Sequence, residues 1–462
     1  MAELFELSAT DLIAGFTTRT FSPVEVARAV LERVEQVNPL INALVFLSAD
    51  EVMEAAQESE ARWLKNAPLG ALDGVPVTVK DSIAVRGKPM LRGNKAYEGS
   101  APSPYDAPPT MRMREAGAII LAKTTMPDFG LLASGVSSAF GITRNPWNTA
   151  FNPGGSSSGG AAATAAMCGP VTIGSDIGGS VRFPAAMCGL VGLKPTQGRI
   201  PHLPPSPLRS AGPLTRTADD CGRMLSILSG YDARDFGALP PSADDYLNLV
   251  SRPLKGTRVA LVLEGDNGGL PDVNVAASVR KAARILSDAG AIVEELPSVV
   301  GQNFMEVAMI PLMLRGLAEF LKLDEASRLK APEAFRDSFT KALDTGIDKI
   351  ALALDELETI KARVLAQMRG FDFLISPTSG ISAFPAEDRT PKSPSSNALY
   401  TPVWNQTGNP ALSVCCGFDQ ANAMPIGLQI VGHRFDDLGV LQFAKAFEEI
   451  RGFEMVWPTP SA

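Results

Sequence analysis

Asn152-Pro153-Gly154-Gly155-Ser156-Ser157-Ser158-Gly159-Gly160, followed by Gly174-Ser175-Asp176-Ile177-Gly178-Gly179-Ser180-Val181-Arg182-Phe183-Pro184-Ala185, is the stretch from which the rest of the chain is read. Its first part is a glycine-serine turn whose backbone reaches conformations closed to residues with a Cβ, and the alanine-rich run 161–166 behind it favours helix. A loop running into a helix is predicted there. The β-branched Val171-Thr172-Ile173 then reads as a strand. It leads to a second glycine turn, Asp176 to Ser180, that can aim successive N–H groups at one point and so suits an oxyanion. Either cluster alone reads as a flexible connector. Together, with Ser156 and Ser180 spaced 180 − 156 = 24 positions apart, they point to a site with two serines.

This pattern, with Gly74-Val75-Pro76-Val77-Thr78-Val79-Lys80-Asp81 upstream, resembles the amidase signature family of amide hydrolases. The resemblance is strong over residues about 60–230 and 370–450 and weak between them. It implies a catalytic set of Lys80, Ser156 and Ser180. Ser180 is the implied nucleophile, and the N–H groups of Ile177, Gly178, Gly179 and Ser180 are the implied oxyanion donors. Ser156, which follows a cis peptide in the family, is the implied bridge that relays the proton to Lys80. As a base Lys80 must be neutral, so burial has to bring it from about 10.4 towards ~7–8, roughly 4 kcal/mol of desolvation and dipole effects. Ser157, Asp176 and Arg182 are read as supporting residues. The backbone at Gly130 and Leu131 is expected to line the scissile-amide pocket, and Phe140 to Asn148 to seat the serine loop.

Composition narrows the classes. The chain has 462 residues, is 45% hydrophobic, and carries 42 − 50 = −8 net charge. That is enough apolar material for a large core, and without a dense Lys/Arg block there is no footprint for nucleic acid or an anionic membrane. The acidic N-terminus is unlike a secretory signal, and no apolar run approaches the ~18 residues of a span, so a cytoplasmic protein is expected. The five cysteines, Cys168, Cys188, Cys221, Cys415 and Cys416, show neither disulfide nor zinc spacing. His202 and His433 are the only histidines, too few for a histidine-rich metal site, and both read as structural or solvated. No metal, cofactor or nucleotide is implied; the expected partner is a small-molecule amide, and a homo-oligomer is left open.

The fold class expected is α/β, a single domain whose large mixed β-sheet is covered by helices. An N-terminal helical layer (about 1–66) should precede a catalytic core (about 67–230), a variable helical middle (about 231–370) and a C-terminal part of the core (about 371–462). Val75 to Val79 should be a strand ending on Lys80, and strand 257–263, helix 273–289 and strand 291–295 a βαβ unit. Met305, Met309 and Met313 at i, i+4, i+8 read as adaptable core packing, and Pro311 should kink their helix.

Three functions remain open. The favoured one is a stand-alone amidase acting through a serine acyl-enzyme. The second is the glutaminase subunit of a tRNA-dependent amidotransferase, against which stand Phe183, where that subunit carries glutamine, and Ser210-Ala211-Gly212, where it has Ser-Leu-Asp-Gln. Phe183 suggests an apolar acyl group. The third is a catalytically inactive binding protein on the same fold.

Overall fold

The computed structural model describes residues 3–397 and 399–461. Three helices come first, Ala9–Thr18, Pro23–Ile41 and Ala49–Leu64. Each starts at a serine, Ser8, Ser22 or Ser48, whose hydroxyl accepts the N–H of the residue three positions on, replacing one of the bonds a helix start lacks. The second runs to Ile41. It closes at Asn42, which adopts the left-handed conformation and returns its N–H to the Asn38 carbonyl.

The strands are β1 (Leu44–Val45), β2 (Pro76–Lys80), β3 (Ile119–Thr124), β4 (Val136–Ser137), β5 (Gly141–Ile142), β6 (Val171–Asp176), β7 (Val191–Lys194), β8 (Ser210–Thr215), β9 (Arg258–Val262), β10 (Ile292–Leu296), β11 (Phe373–Pro377), β12 (Ala411–Phe418) and β13 (Pro425–Val431). Apart from the β4–β5 hairpin they form one mixed sheet of 11 strands, ordered β1-β3-β2-β6-β8-β7-β12-β13-β11-β9-β10. Two parallel blocks, β3-β2-β6 and β11-β9-β10, flank an antiparallel centre. Parallel neighbours need crossovers. The helix Pro108–Glu115 supplies one between β2 and β3, and Val273–Asp288 supplies the one between β9 and β10, so the expected βαβ unit is present. Strands covered on both faces must be apolar throughout, and Val77, Val79, Val171, Ile173, Leu412, Val414, Leu428 and Ile430 are all fully enclosed. The core they share extends from Ala9 to Phe447, which is why the chain is one α/β unit around a mixed sheet, as expected.

Of residues 231–370, β9 and β10 join the sheet, and the chain after β10 is helical, with Phe304–Leu321, Glu325–Lys330, Glu333–Leu343 and Ile347–Met368. Pro311 lies inside the first of these, within one continuous helix. The methionine stripe divides: Met305 and Met313 pack against two different apolar clusters, whereas Met309 is 45% exposed. Every fourth residue advances about 40° around a helix, so three such positions need not share one buried face. No helix among the described residues is long and apolar enough to cross a membrane.

Candidate active site

β2 and β6 are parallel neighbours, with Val77, Thr78 and Val79 opposite Val171, Thr172 and Ile173. Their carboxyl ends therefore deliver Lys80 and Asp176 to the same edge of the sheet. The serine loop lies over that edge and feeds the helix Ser158–Ala165, every residue of which is buried. Only small residues allow this close approach: a Cβ on Gly159 would stand 2.4 Å from the Ala43 carbonyl oxygen. The peptide Gly155–Ser156 is cis. Asn145, in the turn expected to seat this loop, donates its side-chain N–H to the carbonyls of Asn152 and Met187, at 3.3 and 2.9 Å.

Lys80 is 1% exposed. Its Nζ lies 2.9 Å from Ser156 Oγ, 3.0 Å from Ser157 Oγ and 3.1 Å from the Ser175 carbonyl. Burial pushes the amine from the ordinary lysine range down to about 7, Asp176 opposing, Arg209 and Arg315 assisting, and Asp81 opposing. A neutral amine has two N–H donors and one lone pair. The Ser175 carbonyl can only accept, and Ser157 turns its own hydroxyl to that carbonyl at 3.5 Å, so it too accepts from Lys80. The lone pair is then left for the hydroxyl of Ser156, an arrangement in which Lys80 can take the Ser156 proton.

Ser180 sits on the turn after β6, half-buried, and its carbonyl accepts the Ser157 N–H at 3.1 Å. No hydrogen bond joins Ser180 Oγ to Ser156 Oγ among the described residues. The turn is held by Asp176, whose carboxylate accepts the N–H of Gly179 at 2.7 Å, that of Val181 at 3.1 Å, and Arg182 Nε and Nη2 at 3.0 and 2.9 Å. Burial alone would raise this carboxyl, but the Arg182 charge and hydrogen bonds, the Lys194 charge and the Gly179 N–H outweigh it and hold it well below the usual range. Arg182 is equally enclosed and spends its other donors on Thr401 O, Gln429 Oε1 and Asn405 Oδ1, at 2.9, 2.8 and 2.7 Å. The pair is thus fully hydrogen-bonded, the condition under which buried ions are tolerated.

The Gly178–Gly179 peptide is fixed at both ends, because Thr401 Oγ1 donates to the Gly178 carbonyl at 2.7 Å while the Gly179 N–H goes to Asp176. Of the four N–H groups expected to face an oxyanion, that of Gly179 is therefore already occupied. Those of Ile177, Gly178 and Ser180 have no partner among the described residues. Gly179 has φ +123°, and a Cβ there would stand 2.2 Å from Thr401 Oγ1, so glycine is required.

Lys80, Ser156, Ser175, Ile177 and Gly130 line a small cavity of about 20 Å³ that also takes in Arg92, Arg209 and Arg315. The backbone at Gly130 is where the sequence places it. Leu131 is not part of the lining and packs instead towards Gly316 on the helix Phe304–Leu321. Phe183 is also outside the lining: its partly buried ring packs with Met187, Ile381 and Phe384. The three arginines escape sequence reasoning because they come from a loop, a strand approach and a distant helix, with no spacing in common. Arg315 belongs to the middle region, where variable pocket residues are expected.

His202 is buried with Nδ1 2.9 Å from the Leu203 carbonyl, and the exposed His433 lies 2.8 Å from the Phe371 carbonyl. Neither bonds Lys80, Ser156 or Ser180. The five cysteines are free and buried, Cys415 and Cys416 within β12. No group of three or more His, Cys, Asp or Glu among the described residues is placed to hold a metal ion.

Residues 25–441 match the family model described as Amidase. Over 99% of both chains the sequence is 32% identical to a glutamyl-tRNA(Gln) amidotransferase subunit from Heliobacterium modesticaldum. The fold is similar to that of a bacterial aryl acylamidase belonging to the amidase signature enzymes, with a TM-score of 0.88 and 27% identity over 96% of both chains. It is similar to the same degree, TM-score 0.88, to a 6-aminohexanoate cyclic dimer hydrolase, 28% identical over 98% of both chains. With a family match over most of its length and hydrolases of this fold among its relatives, the chain belongs to the amidase signature family and is an enzyme acting on carbon–nitrogen amide bonds.

Proposed function

We propose that the protein is a stand-alone amidase that hydrolyses a carboxylic acid amide to the acid and ammonia or an amine. Ser180 Oγ attacks the amide carbonyl while its proton passes to Ser156, whose own proton passes to Lys80. The C–N bond breaks as the leaving nitrogen takes a proton back along the same path. Water then attacks the Ser180 ester by the same relay and releases the acid. The free N–H groups of Ile177, Gly178 and Ser180 receive the oxyanion in both halves, while Gly179 holds the turn through Asp176. Ser157, Asp176 and Arg182 position these groups without touching substrate.

The observation that carries this reading is Lys80, an enclosed amine 2.9 Å from Ser156 Oγ that burial brings down to about 7. The test is labelling by a serine-reactive fluorophosphonate: one adduct on Ser180 in the wild type and none in Ser180→Ala, which should lose turnover yet melt like the parent. An adduct on Ser156 that survives Ser180→Ala would reverse the two serine roles. Absence of any adduct would favour an inactive binding protein.

The glutaminase reading is kept because the relative from Heliobacterium modesticaldum carries the name of an amidotransferase subunit. Release of glutamate from glutamine at a rate matching the best small amide would favour it over the stand-alone amidase.

A further inference from the structure

The cavity beside Lys80 has an unbalanced charge. Glu319 accepts from Arg92 Nη1 at 2.9 Å and from Arg315 Nη2 at 2.7 Å, so one carboxylate serves two guanidinium groups. Arg209, the third, forms no ion pair with a carboxylate among the described residues. It is 5% exposed, its Nη2 donates to the Pro204 carbonyl, and its Nε is buried without a partner. Asp235 is the other acid whose charge acts on it, but its two oxygens accept the N–H groups of His202 and Gly237, each at 2.9 Å. Burial, then the charges of Arg315 and Arg92, bring Arg209 down to about 9, against the pull of Glu319 and Asp235. His202 is kept neutral by burial and adds no charge. A neutral Lys80 adds none either. An enclosed guanidinium with an unused donor and no counter-ion is costly unless something anionic comes to it, and a planar carboxylate fits its fork.

We propose that the amide hydrolysed here carries one carboxylate and no ammonium group, as in the half-amide of a dicarboxylic acid, and that Arg209 binds that carboxylate. This rests on the amidase reading and specifies its substrate class. Glutamine carries the same carboxylate together with an ammonium group, for which this arginine-lined cavity has no free acid. The cavity of about 20 Å³ has room for a water molecule rather than an acyl chain. Substrate entry therefore requires this cavity to widen.

The test uses the full chain with Ser180→Ala, so that bound amides stay intact, and titrates succinamate, the isosteric neutral succinamide, and glutamine by calorimetry. Succinamate should bind roughly 10- to 100-fold tighter than either of the others, the range of a hydrogen bond to a charged group. Arg209→Met should erase that preference and Arg209→Lys should keep part of it; melting curves report whether each variant is folded. Equal affinities for succinamate and succinamide, no saturable binding of succinamate, or a preference that survives Arg209→Met each overturn the proposal. Failure of the amidase reading shows separately, as an unlabelled Ser180 in the wild type. A labelled enzyme that prefers succinamide leaves that reading standing and removes this one.

Discussion

Replacing Lys80 by methionine keeps the length and apolar stem of the side chain and deletes only the amine. In the folded protein that amine titrates near 7, and in the unfolded chain near 10.4. Holding it charged in place would therefore cost roughly 5 kcal/mol at 1.36 kcal/mol per pKa unit. Because the folded value is the lower, the unfolded chain carries the extra proton between about pH 7 and 10.4, so stability rises with pH across that window. From pH 7.5 to 9.5 the wild type should gain about 2 to 3 kcal/mol relative to Lys80→Met, read from urea unfolding at both pH values. Lys194, also buried and brought to about 7, titrates in both proteins and cancels in the difference. The same protonation governs the reaction: kcat/KM of the wild type should rise along a one-proton limb centred near 7, and at pH 5 should be about one hundredth of its plateau. His202→Gln and His433→Gln should leave that limb in place. Parallel stability profiles for wild type and Lys80→Met, or a flat rate profile between pH 5 and 8, would refute the argument that an enclosed neutral lysine is the proton acceptor.

Arg209→Met removes one of the positive charges that lower Lys80, so the acidic limb should move to higher pH, a direction checked by the same rate profile. Arg182→Met leaves the Asp176 carboxylate buried without its counter-ion and should cost about 3–5 kcal/mol in unfolding experiments. The double variant with Asp176→Asn should lose less than the sum of the two single losses. Gly179→Ala drives a Cβ towards Thr401 at a φ that alanine resists; it should lower stability by about 1–3 kcal/mol and reduce kcat far more than KM, as measured on any hydrolysed amide.

Whatever depends on local order is legible in the sequence. The strand that ends on Lys80, the βαβ unit and the two glycine turns follow from periodicity and the freedom of residues without a Cβ. The family pattern adds the identity of three side chains scattered over a hundred positions. Which ends meet is settled by packing alone. It made β2 and β6 parallel neighbours, set the Lys80 amine within hydrogen-bond reach of Ser156 Oγ, and took the Gly179 N–H away from the oxyanion turn and gave it to Asp176. It also packed Phe183 against Met187, Ile381 and Phe384 and brought Arg92, Arg209 and Arg315 to one cavity from three separate elements. The difference is one of range: turns and caps are settled by neighbours in the chain, whereas burial, charge balance and the pKa of an enclosed amine depend on groups that only the folded chain brings within a few ångströms.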